Sequence, residues 1–270
     1  MRKQTAGRNP AILFATGADC FIQEIKITFN QVTVEDLESG NLRLEKNMPA
    51  ILFTVDDNEL AFLKDQWGDL LSFYTSDHDI RDNSFKILKE RYSEKGRFYH
   101  NLSHVKTLLG LLDSLGSKAQ DHNAIRFSIW FHDVVYDTKA NDNEAESARL
   151  ASQMMSKLHV DIPTIEVVRS LILATKDHSG NGLSEDNKLF LDMDLAILGM
   201  QEEIYSKYSR AIREEYFWVP ELIYRRERRK VLESFLAREG IYFTDEMKKR
   251  FEEQARKNIN GEINSLGFQE

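Results

Sequence analysis

From residue 57 onward, apolar positions recur at steps of three and four, the period of an amphipathic helix. The first stripe, Leu60, Leu63, Trp67, Leu70, Leu71 and Tyr74, predicts a helix that Asp57 and Asn58 can cap. Phe85, Leu88 and Tyr92 predict a second around 83–93. Val105, Leu108, Leu109, Leu112 and Leu115 predict a third, preceded by Ser103 and closed by Gly116 as a left-handed cap. Residues 123–136 are apolar almost all round (Ile125, Phe127, Ile129, Trp130, Phe131, Val134, Val135), which predicts a central helix buried on most sides. Further helices are predicted at about 143–159, 163–176, 186–198, 202–217, 220–238 and 244–266, with Pro163 at a favourable first position and Gly199 ending the third of these. About ten helices in roughly 210 residues predict a mainly α chain with one helical domain over 56–270. Residues 1–55 alternate differently, in 11–14, 21–29 and 51–55, and predict two to four short strands, a β-flavoured N-terminal extension.

Composition narrows the classes. Apolar residues make up 41%, charged residues 30%, and Gly (13) and Pro (4) are scarce, which argues against collagen, low-complexity disorder and a turn-rich sandwich. No apolar run approaches the ~18 residues of a membrane span, and the first residues lack the apolar stretch of a secretion signal, so a soluble, cytoplasmic protein is expected. Cys20 is the only cysteine, so a metal would be held by His, Asp or Glu. A net charge of −8 disfavours non-specific nucleic-acid binding. The charge is uneven: residues 131–200 hold 12 acids against 6 bases, an acidic middle suited to a cation.

Candidate chemistry lies where metal-ligand residue types interrupt apolar runs. His132-Asp133 closes the most hydrophobic helix, and a carboxylate there is costly to bury unless a cation neutralises it. Alternatively, Asp133 pairs with an arginine or sits just past the helix end. His100 and His104 share a face if both are helical; if Ser103 caps the helix, His100 lies in the preceding loop and contacts substrate rather than metal. Asp192 and Asp194 cannot share a helical face, so one can point outward, and Asp194, among Phe190, Leu191, Leu195 and Leu198, is the inward candidate. His178 ends a helix, where it either complements the dipole or serves as an extra ligand or phosphate contact. Together His104, His132, Asp133 and Asp194 offer two imidazoles and two carboxylates, a mix suited to Mn²⁺, Fe²⁺, Co²⁺, Ni²⁺ or Zn²⁺ and usable with Mg²⁺.

The order of these residues, in Tyr99-His100-Asn101-Leu102-Ser103-His104-Val105, Trp130-Phe131-His132-Asp133-Val134-Val135-Tyr136-Asp137, Asp142-Asn143-Glu144-Ala145-Glu146-Ser147-Ala148 and Leu191-Asp192-Met193-Asp194-Leu195, resembles the HD superfamily. More narrowly, it resembles the predicted metal-dependent HD-superfamily phosphohydrolases, over about 57–261. The resemblance implies an all-α HD fold, one divalent cation on His104, His132, Asp133 and Asp194, and hydrolysis of a phosphate ester or anhydride of a small metabolite or nucleotide. Two departures stand out. Tyr136 occupies the place where some nucleotide-cleaving members carry a catalytic Glu, and only His178 offers a further histidine in a suitable region, so a second metal is not favoured. His159 reads as surface.

Metal-activated water would supply the nucleophile, with Asp133 in the catalytic centre and Glu144, or else Asp137, as general base. Glu144 has a plainer explanation as a first-turn acid favoured by the helix dipole. Candidate contacts to an anionic substrate are Arg97, His100, Lys176, His178, Arg213 and Arg229, although arginines in such helices are often only solvated or paired. Tyr99, Tyr136 and Tyr216 can stack on a base or sugar or simply pack. Two other classes remain open: a non-catalytic nucleotide-sensing or binding module, and a di-iron oxygenase, against which the shortage of histidines argues.

Overall fold

Helix starts along this chain are set mostly by short acidic and hydroxyl side chains. The structure, a computed structural model, describes residues 53–115, 118–178 and 183–267. The strands expected within 1–55 lie outside these apart from 53–55, which form no strand, and the Gly116 cap lies outside as well. Among the described residues the chain is helical, without strands: α1 (Asp57–Leu71), α2 (His78–Tyr92), α3 (Leu102–Leu115), α4 (His122–Phe131), α5 (Asn143–Lys157), α6 (Ile162–Ala174), α7 (Glu185–Asp194), α8 (Glu202–Glu215) and α9 (Glu221–Leu236). The last helix, α10, runs through Asp245–Met247, a π turn over Lys248–Glu252, and Glu253–Leu266.

Asp56 and Glu59 form a reciprocal capping box at α1. Asp77, Asp121, Asp161 and Ser184 accept main-chain N–H bonds at the starts of α2, α4, α6 and α7. Asp77 explains why α2 begins five residues before the expected Asn83: the added turn is solvated and carries no apolar stripe. Likewise Asn101, not Ser103, opens α3; its Oδ1 accepts the Ser103 N–H at 2.9 Å. The stretch expected as helix up to Tyr136 stops at Phe131, because side chains satisfy the main chain beyond it. Arg97 donates to the carbonyl oxygens of Asp133 (2.6 Å) and Val134 (3.1 Å), and the Ser147 hydroxyl bridges the N–H and C=O of Val135.

The core gathers around Trp67, whose indole meets Phe127, Trp130 and Phe131 edge-on at centroid distances of 6.0, 5.4 and 5.9 Å and donates to Ser84 Oγ. As expected, α4 is buried on nearly all sides, packed between α3, α5 and α6. A smaller apolar cluster joins Tyr99 to Ile212, Tyr216, Val219, Ile223 and Tyr224. Ile197, Tyr208 and Val231 touch both clusters, marking a seam between them.

The segment after α7 is held unusually close. Instead of one helix to Leu198, α7 ends at Asp194 and a 3-10 turn (Leu195–Gly199) follows. A Cβ on Gly199 would lie 2.5 Å from Phe251 Cβ and 2.6 Å from its carbonyl oxygen, so only glycine lets the 3-10 turn meet the π turn. Asp192 is not the outward-facing partner of Asp194 that the spacing allowed. It is fully buried and accepts the N–H of Phe243 and both the N–H and hydroxyl of Thr244, each at 2.7 Å. Burial pushes its carboxyl up to about 6 against those three bonds, and the bonds tie the start of α10 to α7.

Candidate metal centre

Three helix ends bring His104, His132 and Asp194 together. His104 sits in the first turn of α3, His132 caps the C-terminus of α4, and Asp194 is the last residue of α7. His104 Nε2 lies 3.1 Å from His132 Nε2 and 3.1 Å from Asp194 Oδ1, with His132 Nε2 to Asp194 Oδ1 at 3.6 Å. Asp133, just past the helix end, places Oδ2 2.9 Å from His132 Nε2 and 3.8 Å from His104 Nε2. Among the described residues no arginine pairs with its carboxylate; Arg97 engages the main chain instead. Donor atoms bonded at ~2.0–2.2 Å to one ion stand about 3.0–3.5 Å apart; the His104, His132 and Asp194 atoms, at 3.1, 3.1 and 3.6 Å, come close to that spacing, while Asp133 stands beside the group. His104, His132 and Asp194 thus form a group able to hold a metal ion.

The surroundings prepare these donors. His132 Nδ1–H donates to the Ile129 carbonyl at 3.1 Å, which turns the Nε2 lone pair toward the cluster. Burial lowers the pKa of His104 below the usual imidazole value despite Asp194 beside it, favouring the neutral ligand form. Burial opposes charge on His132 too, but Asp133 and Asp194 raise its pKa well above the imidazole range. Both carboxyls would be pushed up by burial, yet the imidazoles hold them well below the ordinary carboxylate range. A field that favours a proton between two carboxylates also favours a cation there. His178, at φ 47°, is strained for a residue with a Cβ. Its Nε2 meets the other Asp194 oxygen at 3.1 Å, so it steadies the ligand carboxylate.

A second group stands beside the cluster. The Glu215 carboxylate accepts the N–H groups of Phe98, Tyr99 and His100 on Oε1 (2.9, 2.7 and 3.0 Å). On Oε2 it meets His100 Nδ1 (2.6 Å) and the Tyr136 hydroxyl (2.8 Å). The Tyr136 ring stacks on His100 at 4.2 Å. Burial disfavours a charge on His100, but Glu215 prevails and raises its pKa; Glu215 in turn is held below its usual value. His100 precedes α3, in the loop arrangement that the sequence left open.

A cleft of about 1000 Å³, counting its open mouth, runs beside these groups along the seam between the two apolar clusters. Asp133, Asp194, His100, His178 and Glu144 line it. The other substrate candidates lie elsewhere. Arg97 braces the carbonyls of His100, Asp133 and Val134; Lys176 donates to the Asn141 carbonyl; Arg213 pairs with Glu221 and two carbonyls; Arg229 donates to the Ile263 carbonyl. Asp137 borders a neighbouring cleft, along with Arg97 and Trp218. Arg228 lines the main cleft in their place, paired with Glu262 at 2.9 and 3.2 Å. Neither Glu215 nor Arg228 was singled out from the sequence. Each interrupts an apolar stripe, Tyr205-Tyr208-Ile212-Glu215 and Tyr224-Arg228-Val231-Phe235, the same signal that marked Asp133. Compared with family models, curated proteins and solved structures, the chain matches none.

Proposed function

We propose that the chain is a metal-dependent phosphohydrolase of the HD type, with one divalent ion on His104, His132, Asp133 and Asp194. The observation that carries this reading is the donor set: His104, His132 and Asp194, from three helix ends, come within reach of one ion, with Asp133 Oδ2 2.9 Å from His132 Nε2 and both carboxylates lining a cleft. When bound, a divalent ion lowers the pKa of water and polarises a phosphoryl oxygen. The chain's own residues supply the rest. His178 fixes Asp194, and Arg97 fixes the turn that carries Asp133. Glu144 is the cleft carboxylate that takes a proton from the attacking water. Glu215 holds a proton on His100, whose Nε2, the nitrogen not engaged by Glu215, donates to a phosphoryl or leaving oxygen. Tyr136 replaces a second acid by orienting Glu215 rather than reacting.

Phosphate release from a broad ester and anhydride panel, with Mn²⁺ supplied, tests this. Wild type is expected to turn over at least one class, and Asp133→Ala to lose about 100-fold or more in rate with its helix content unchanged. Silence of the metal-replete wild type, or full activity of the variant, contradicts the reading.

A further inference from the structure

We infer that a second cleft, sharing Tyr136 with the first, binds a small aromatic anion, a flat ring that carries one carboxylate or phosphate-type group. The inference is independent of the phosphohydrolase reading.

This cleft measures about 650 Å³, counting its open mouth, and lies between the turn at 94–97, the loop at 136–139 and the turn from α8 to α9. The last of these presents Phe217 and Trp218 in succession. Phe217 is 70% exposed. Trp218 is fixed, because its indole N–H donates to the Thr138 hydroxyl at 2.9 Å. A single exposed phenyl ring is ordinary. Two successive aromatic side chains lining one concavity give a flat ring more area to cover than a convex surface does.

Charge on the same lining favours an anion. Lys95 and Lys139 both belong to it, and among the described residues neither ammonium group meets a carboxylate. Lys139 Nζ stands 5.5 Å from the Trp218 ring centroid, within reach of an anionic group on a ring that lies beside the indole. Arg97 is already engaged: Nη1 and Nη2 meet three main-chain carbonyls and Glu94, while its buried Nε has no acceptor among the described residues. Of the carboxylates, Glu94 is paired with Arg91 (3.1 Å) and Arg97 (3.5 Å), and Glu215 with His100 (2.6 Å). Asp137, which accepts the Lys139 main-chain N–H at 2.9 Å, is the carboxylate left without a cation, so two unmatched ammonium groups stand against one acid. An anionic group between Lys95 and Lys139, on a ring lying against Phe217 and Trp218, uses both features at once. A neutral ring or an anion without a ring uses only one.

Calorimetry tests this on the whole chain, with EDTA present so that no metal-bound anion in the first cleft contributes. The probes are naphthalene-2-carboxylate, naphthalene-2-phosphonate, the uncharged naphthalene-2-carboxamide and the ringless methylphosphonate. At least one of the two aryl anions is expected to bind about tenfold or more tightly than both the carboxamide and methylphosphonate. Binding of either supports the inference, and the stronger of the two separates a carboxylate ligand from a phosphate-type one. The double variant Lys95→Gln with Lys139→Gln should weaken that binding about tenfold, and Phe217→Ala about fivefold or more; all three positions are exposed, so folding is spared. Aryl anions that bind no better than either reference, or that bind the double variant or Phe217→Ala as tightly as wild type, overturn the inference.

Discussion

Glu215→Ala is expected to lower stability by about 3–5 kcal/mol, because five donors converge on one buried carboxylate and would be left without it. For a chain of this size that is a fall of about 10 °C in melting temperature. Glu215→Gln should cost less, since an amide oxygen still accepts the three main-chain N–H bonds while the charge facing His100 disappears. The pH dependence separates the two effects. The His100 pKa is raised on folding, so its contribution is complete below ~6.5 and lost as pH rises through the folded value. The Glu215 pKa is depressed, so its contribution is present above ~4.3 and lost as pH falls through the folded value. The stability difference between wild type and Glu215→Gln should therefore be greatest between about pH 4.3 and 6.5 and shrink on the alkaline side. Denaturant melts across that range check it; a difference independent of pH contradicts the ion pair.

Arg228→Ala is expected to cost about 3–5 kcal/mol by leaving the Glu262 carboxylate buried beside Tyr205 without its cation. The double variant Arg228→Met with Glu262→Leu should recover most of that loss, since replacing both partners by apolar groups removes the uncompensated charge. A double variant no more stable than Arg228→Ala would show that the arginine contributes by packing on Tyr208 rather than through Glu262. Because Glu262 is depressed by Arg228 and Tyr205, acid should erase the advantage of wild type as pH falls below the unfolded carboxyl range.

The residues legible in the sequence were those that break a hydrophobic run. His132 closes α4, and Asp194 lies amid Phe190, Leu191, Leu195 and Leu198; that they meet His104 follows from three helix ends converging. Periodicity also located the helices, missing mainly those boundaries that polar caps decide, such as Asp77 at α2. What it could not supply was direction among adjacent cations. Arg228 and Arg229 differ by one step, about 100° around a helix, and only packing against Glu262 decides that the former reaches the cleft. Arg97 reads as a free cation in the sequence because the carbonyls it binds at Asp133 and Val134 lie 36 and 37 residues away. The π turn that carries Phe251 has no local signature, since it packs against Gly199 on a distant segment.

Metal content, measured by mass spectrometry on the purified chain after equilibration with Mn²⁺ and desalting, bears most directly on the donor cluster. One divalent ion per chain is predicted for wild type, with Asp194→Ala retaining well under a tenth of that while its circular dichroism stays helical. A wild type that holds no ion, or an Asp194→Ala protein that holds it as well, contradicts the account.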